Sequence, residues 1–233
     1  RWPAALSYTR GMFGTSADQL FGGSAKKGIT GIDYEDAYER LMLTAEGTAP
    51  EGAAFPGRTG VDRYQALGYI PYDEHSGGAS RTLEFSYNDW ALSHLAEHLD
   101  KTDEVERLRA RSKSWRNVFD SESKFFRAKD AQGAWLEPLN TRAYDERGGT
   151  SYTEGNAWHW RFYVPHDPEG LSEVMGGDEA LAGELETFFA ESDLGGSPSA
   201  LKTILPDSHY WHGNQPPLHT LYYFGTTNRP DRL

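Results

Sequence analysis

Residues 80–99 read SRTLEFSYNDWALSHLAEHL, and their apolar side chains recur at the three- and four-residue intervals of an α-helix. The repeating positions are Leu83, Tyr87, Trp90, Ala91, Leu95 and Leu99. A stripe of this kind predicts a long helix with one face against a core, and Ser80 stands where an N-terminal cap belongs.

Segments with the same periodicity surround this helix. One begins after Asp33, which is placed to cap it, and another runs from about residue 103 to 119. Shorter helices are predicted at 157–163, 168–175, 178–190 and 216–224. The chain is therefore predicted to be mainly α.

Between residues 124 and 137 the periodicity changes, and two short apolar runs around Gly133 predict a small β-hairpin. Helices joined by long loops suit part of an (α/α) toroid, in which loops at one end form a pocket. No internal repeat or linker divides the sequence, although Gly195–Pro198 predicts a loop, so residues 1–233 are expected to form part of one domain.

Composition excludes several classes of function. The 23 Lys and Arg residues against 35 Asp and Glu residues give a net charge of -12, which opposes binding to nucleic acid. No apolar run is long enough to cross a membrane. The chain has no Cys, so a metal would have to be held by oxygen or imidazole ligands, which favours a hard cation such as calcium.

Three short strings crowd carboxylate, amide, indole and imidazole groups into turns beside helices. Residues 152–160 read YTEGNAWHW, residues 164–167 read VPHD and residues 212–217 read HGNQPP. Glycosidic bond cleavage needs a positioned acid to protonate a poor leaving group. Indole faces pack on sugar rings, and amides and imidazoles match sugar hydroxyls, so the strings indicate carbohydrate chemistry.

Taken in order, the motifs of the chain resemble those of bacterial glycoside hydrolase family 92. The matching strings span nearly the whole sequence: Arg1–Pro3, Gly14–Asp18, Gly68–Pro71, Thr82–Trp90, Tyr152–Trp158, Val164–Asp167 with Gly170–Leu171 and Gly176–Gly177, and His212–Pro216. The resemblance implies calcium-dependent, inverting exo-α-mannosidases that act on mannose-containing oligosaccharides such as N-glycans and are secreted or periplasmic in bacteria.

The resemblance also implies a six-hairpin (α/α) toroid preceded by a β-sandwich domain. This sequence resembles the middle of that toroid. The sandwich and the later segment that carries the general base have no counterpart in it, so a further segment or chain is expected to complete the site. Two alternatives stay open: a glycan-binding fragment or relative that lacks the base, and a toroid glycosidase with another sugar preference.

Glu154 matches the general acid of the family. Tyr152, Trp158 and Trp160 flank it, and a partly dry pocket among them would keep a carboxyl group protonated. The alternative is a structural role, in which Thr153 or Glu154 caps the helix that follows.

The string at 212–216 resembles the family segment that shapes the sugar site and helps to hold calcium. Asn214 and Gln215 are therefore candidate metal ligands, with a polar turn as the alternative. His212, Asn156 and Trp158 are candidate substrate-binding residues, although His212 also suits an ordinary loop and Trp158 a core position.

Overall fold

The computed structural model describes residues 3–4, 7–8, 14–47, 57–145, 149–192, 209–227 and 229–232. The motif residues Arg1 and Trp2 and the loop predicted at 195–198 lie outside this part of the chain. The α-helices are α1 (Ser16–Lys26), α2 (Tyr34–Glu46), α3 (Val61–Leu67), α4 (Gly78–His98), α5 (Thr102–Arg111), α6 (Ala157–Trp160), α7 (Pro168–Met175) and α8 (Asp178–Ala190). Segments of 3-10 helix cover Ser112–Val118, Thr220–Gly225 and Pro230–Arg232.

Two short antiparallel pairs of strands accompany these helices. Strand β1 (Pro3–Ala4) pairs with β2 (Ser7–Tyr8), and β3 (Phe119–Asp120) pairs with β4 (Phe125–Phe126). The turn predicted near Gly133 is present too, because Lys129 bridges to Trp135 beyond β4. The predicted hairpin at 124–137 is thus confirmed, and β3 pairs with β4 from the N-terminal side of this segment.

Helix α4 lies at the centre of the N-terminal half and packs against α1, α2, α5 and the following 3-10 segment. Most of its 21 residues are buried, so it has core on all sides and not on one face alone. Gly22 of α1 lies against the main-chain carbonyl of Ala91, where a Cβ atom would collide. A glycine at this position lets the two helix backbones approach closely.

Buried ion pairs connect α1, α4 and α5. The guanidinium group of Arg58 donates to Asp18 at 2.8 Å and to Asp89 at 2.5 Å, and the side chains of all three are fully buried. Arg111 donates to both carboxylate oxygens of Asp89, at 2.7 and 2.8 Å. Asp18 and Asp89, which lie in family-like strings, therefore hold the helices together.

The apolar core has two main parts. Helices α2, α4 and α5 contribute one, around Tyr38, Leu92, Leu95 and Leu108. The other joins α4 to the C-terminal half through large buried rings, which include Trp115, Phe126, Trp160, Phe162 and Phe188. This second core positions the segment that follows residue 149.

Several boundaries follow the prediction and others do not. Helices α7 and α8 have the predicted ends, and Asp33 caps α2 by accepting from the Asp36 amide. Ser80 does not cap α4, because that helix begins at Gly78. The helix expected at 103–119 is α-helical only to Arg111, and the one expected at 216–224 is a 3-10 segment that begins at Thr220.

The length and the polarity of a helix decide whether it could span a membrane. Across the described residues, no helix combines the length and the apolar character that spanning a bilayer requires.

Candidate active site

The predicted acid, Glu154, lies in a loop held on both sides by hydrogen bonds. Asp145 and Gly155 pair through both of their main-chain groups, with N–O distances of 2.8 and 3.0 Å. The side chain of Asp145 also accepts from the amides of Ser151 and Tyr152, each at 2.9 Å. Glu154 itself has a φ of 50°, in the left-handed region that residues with a side chain rarely adopt.

Helix α6 starts immediately after this loop, and Asn156 caps it. The Asn156 side chain accepts from the His159 amide at 3.0 Å, and His159 Nδ1 accepts from the Asn156 amide at 3.1 Å. This reciprocal pair satisfies two amides that the helix leaves free. Neither Thr153 nor Glu154 caps the helix, so the structural alternative for Glu154 is wrong in this form.

The loop meets the predicted sugar-site turn through Asn214. The Asn214 amide donates to the main-chain carbonyl of Glu154 at 2.6 Å, and its side-chain oxygen accepts from the Gln215 amide at 2.9 Å. Asn214 is buried, whereas His212 and Gln215 are exposed. Among the described residues, the carboxylate of Glu154 has no ion-pair or hydrogen-bond partner.

Two of the rings that flank Glu154 in sequence, Tyr152 and Trp160, anchor the loop. The Tyr152 hydroxyl donates to the Phe126 carbonyl at 2.6 Å, and Trp160 Nε1 donates to the Thr153 carbonyl at 3.2 Å. Both rings are buried. They therefore hold residues 152 and 153, which immediately precede the acid.

Trp158 packs among other side chains. Its ring centroid lies 4.8 Å from that of Phe125 and 3.8 Å from that of His209, and the Arg161 guanidinium lies 4.6 Å from it. Phe188 stacks at 6.4 Å. These contacts favour the core alternative for Trp158 over a sugar platform.

Sequence reasoning missed another pair of rings, Tyr144 and Trp211. Both are half-buried, their centroids lie 6.4 Å apart and their planes meet at 67°. Tyr144 precedes Asp145, and Trp211 lies 5.8 Å from the ring of His159. Gly213 lies directly against the Trp211 indole, where a Cβ atom would collide. The pair forms an aromatic corner beside residues 151–155, the loop that carries Glu154 and is called the acid loop below.

The calcium prediction meets a chemical limit here. Calcium takes six to eight oxygen ligands, but both polar atoms of the Asn214 amide group are already hydrogen-bonded and Gln215 carries no charge. Within the part of the chain that the structure describes, no group of three or more His, Asp or Glu side chains is arranged to hold a metal. Asn214 and Gln215 do not form a calcium site without further ligands.

Helix α4 also carries a buried carboxyl group that has no ion-pair partner among the described residues, that of Glu84. Its Oε1 accepts from the Tyr163 hydroxyl at 3.0 Å, and Gly14 lies against its other oxygen. Burial raises the pKa of Glu84 to about 7, although the hydrogen bond from Tyr163 opposes this shift. Burial likewise lowers the pKa of the His166 imidazole to about 4. The i, i+4 partner of Glu84, Asn88, bonds to the main chain of Thr15, so both side chains pack between elements.

Comparisons with known proteins agree with this arrangement. An uncharacterized secreted glycosidase from Arthroderma benhamiae is 30% identical over an alignment 235 residues long, which covers 88% of this chain and 30% of that protein. The structure of a family 92 inverting mannosidase from Bacteroides thetaiotaomicron is 34% identical, with a TM-score of 0.78 over 94% of this chain and 30% of that one. A family 92 α-mannosidase from the same organism, in complex with mannoimidazole, is 29% identical, with a TM-score of 0.81 over 97% of this chain and 29% of that one.

The similarity confirms the predicted fold class, part of an (α/α) toroid with a small β-hairpin. The chain spans about 30% of the length of these relatives. The model of the glycosyl hydrolase family 92 catalytic domain matches residues 1–232. This chain therefore belongs to glycosyl hydrolase family 92.

Proposed function

We propose that the full-length protein hydrolyses terminal α-mannosidic linkages in mannose-containing glycans and that Glu154 is its general acid. The observation that supports this role is the hydrogen bond from Asn214 to the Glu154 carbonyl, which joins the acid loop to the predicted sugar-site turn. The carboxylate itself is not used by any neighbour among the described residues. It is therefore available for a substrate.

In the proposed reaction, the Glu154 carboxyl group gives its proton to the glycosidic oxygen as the bond from that oxygen to the anomeric carbon breaks. A water molecule forms the new bond to this carbon from the opposite face and loses a proton to a base, which inverts the configuration. We place that base outside this chain. Asp145 is unsuited to the role, because one oxygen of its carboxylate accepts from the amides of Ser151 and Tyr152 and Gly149 packs against its side chain on the side of the other oxygen.

Recognition of the sugar is assigned to groups around the acid loop. Tyr144 and Trp211 offer half-buried ring faces of the kind that pack on a pyranose. His212 is exposed, and its Nδ1 is hydrogen-bonded to the Tyr210 hydroxyl at 2.6 Å, which leaves Nε2 for a substrate hydroxyl. Asn156 is committed to capping α6 through its oxygen, while its Nδ2 is buried without a hydrogen-bond partner among the described residues.

We also propose that the full-length protein binds calcium, with further oxygen ligands from outside the described residues. Secretion is proposed from the secreted relative.

The test compares leaving groups in the full-length protein. Glu154→Gln is expected to lose about 10²–10⁴-fold activity on α-mannobiose, whose leaving group needs a proton, and far less on a dinitrophenyl α-mannoside. Proton NMR of the first product formed should show β-mannose. Equal losses on both substrates would reject Glu154 as the acid, and binding of mannobiose by wild-type protein without hydrolysis would favour a glycan-binding relative instead.

A further inference from the structure

Asp145 contacts the acid loop with both its main chain and its side chain. Its carboxylate accepts from the amides of Ser151 and Tyr152, and its main chain pairs in both directions with Gly155. Gly149 also packs so closely on the Asp145 side chain that a Cβ atom there would collide. One residue thus determines where the main chain runs on either side of Glu154.

The opposite edge of the same segment is held by the N-terminus of α4. The amides of Gly77 and Gly78 donate to the carbonyls of Gly149 and Thr150, at 2.6 and 3.0 Å. The amides of Ala79 and Ser80 donate to the Ser151 carbonyl at 3.0 and 3.2 Å. Because the first amides of a helix have no partner within it, these bonds serve both α4 and the loop.

Glu154 occupies a conformation that needs such support. A φ of 50° costs free energy for a residue with a side chain, and it persists only where the surroundings impose it. Gly155 is fixed on one side by Asp145, and the Glu154 carbonyl is fixed on the other by Asn214. If either contact is lost, Glu154 is free to relax and its carboxyl group moves.

We propose that Asp145 is a positioning residue for the general acid, which holds the 151–155 main chain so that the Glu154 carboxyl group meets the glycosidic oxygen. This inference rests on the proposed function of Glu154. In this role Asp145 acts only through the main chain of the loop, and it neither transfers a proton nor contacts the substrate.

Asp145→Ala and Asp145→Asn in the full-length protein test this role. Asp145→Ala removes the acceptor and should lower kcat/KM on α-mannobiose about 100-fold, the usual cost of a misplacement near 1 Å. Activity on a dinitrophenyl α-mannoside, which needs little protonation, should fall less than about tenfold. Asp145→Asn keeps an oxygen that accepts from both amides, so it should retain activity on both substrates.

Asp130 provides a matched control. Its Oδ1 also accepts from two main-chain amides, those of Gln132 and Ala134, at 3.0 and 2.8 Å, but in the exposed turn of the hairpin. Asp130→Ala removes the same kind of contact away from the acid loop. It should leave the ratio of the two activities unchanged.

The outcomes separate this inference from the proposed function. If Glu154→Gln shows the leaving-group dependence but Asp145→Ala lowers both activities equally, Asp145 is only structural and the inference is wrong. If Glu154→Gln shows no such dependence, the proposed function fails and the inference fails with it. Should Asp145→Ala not fold, Asp145→Ser, whose shorter side chain loses one amide, is expected to lose about tenfold on α-mannobiose alone, and an equal loss on both substrates would again reject the role.

Discussion

The side-chain amide of Asn214 donates to the main-chain carbonyl of Glu154 across 2.6 Å, although 60 positions separate the two residues in the chain. This contact joins two strings that carry the family resemblance. Because the bond is made to the main chain of Glu154, we expect Asn214 to affect the position of the carboxyl group and not its chemistry.

Asn214→Ala is therefore expected to lower kcat/KM on α-mannobiose about tenfold, the equivalent of one hydrogen bond of about 1.4 kcal/mol. Asn214→Asp should lower it further, because a carboxylate oxygen would face the Glu154 carbonyl. Steady-state kinetics of the full-length variants measure both losses. Asn117, whose amide donates to the Gly68 carbonyl at 3.0 Å, gives the control: if Asn117→Ala loses as much activity, the effect at Asn214 is not local to the site.

Local signals explain why some helices could be predicted from the sequence. Helix α7 has Asp167 as its cap, Pro168 at its first position and Gly176 at its end, and all three act within a few residues. Helix α4 differs, since its first amides are satisfied by the carbonyls of residues 149–151. That distant partner is why α4 begins before Ser80, and a sequence pattern does not contain it.

The candidate site likewise combines features that the local sequence predicts with features that depend on distant contacts. The motif around Glu154 predicts an acid next to the turn at 212–216, and the structure brings the two together through Asn214. The roles proposed for Asp145 and Trp211 depend on contacts with distant residues. The sequence leaves Trp158 open between sugar binding and the core, and its packing against Phe125 and His209 favours the core. A tryptophan at helical spacing has the same pattern whether it faces a core or a ligand.

Calcium removal provides a test of the metal prediction. Dialysis of the full-length protein against EDTA is expected to abolish mannose release, and added calcium should restore it. Isothermal titration of the apoprotein with calcium should give about one site per chain if the ligand set is a single cage. Undiminished turnover after chelation would contradict the calcium requirement.

Trp211→Ala is predicted to raise KM for α-mannobiose about fivefold with little change in thermal stability. The ring is half-buried at the aromatic corner, and one lost stacking contact is worth about 1 kcal/mol. Trp211→Phe keeps an aromatic face and should recover most of the affinity.

Trp158→Ala should instead lower the melting temperature with little change in KM, because that indole packs on Phe125, His209 and Phe188. A raised KM at Trp158 with an unchanged melting temperature would restore it as a sugar platform.

The buried carboxyl group of Glu84 predicts a pH dependence of stability. Burial raises its pKa from 4.5 to about 7, so the folded state keeps a proton that the unfolded state releases. The contribution is fully present below pH 4.5 and is lost as the pH rises to about 7, where the loss amounts to about 3 kcal/mol of unfolding free energy. Glu84→Gln keeps an oxygen for the Tyr163 hydroxyl but cannot ionise. We expect the melting temperature of the wild-type protein, relative to this variant, to fall between pH 4.5 and 7 and to level off above it.

Glu74 gives a control of opposite sign for the same measurement. It is exposed and pairs with Arg63, whose hydrogen bonds lower the pKa of Glu74, so its small contribution is present at neutral pH and is lost as the pH falls. Glu74→Gln should therefore not reproduce the trend seen with Glu84→Gln. If the wild-type protein and Glu84→Gln keep a constant difference from pH 4 to 8, the carboxyl group at position 84 ionises in the folded protein as it does in water, and its enclosure by Gly14 and Tyr163 has no effect on stability.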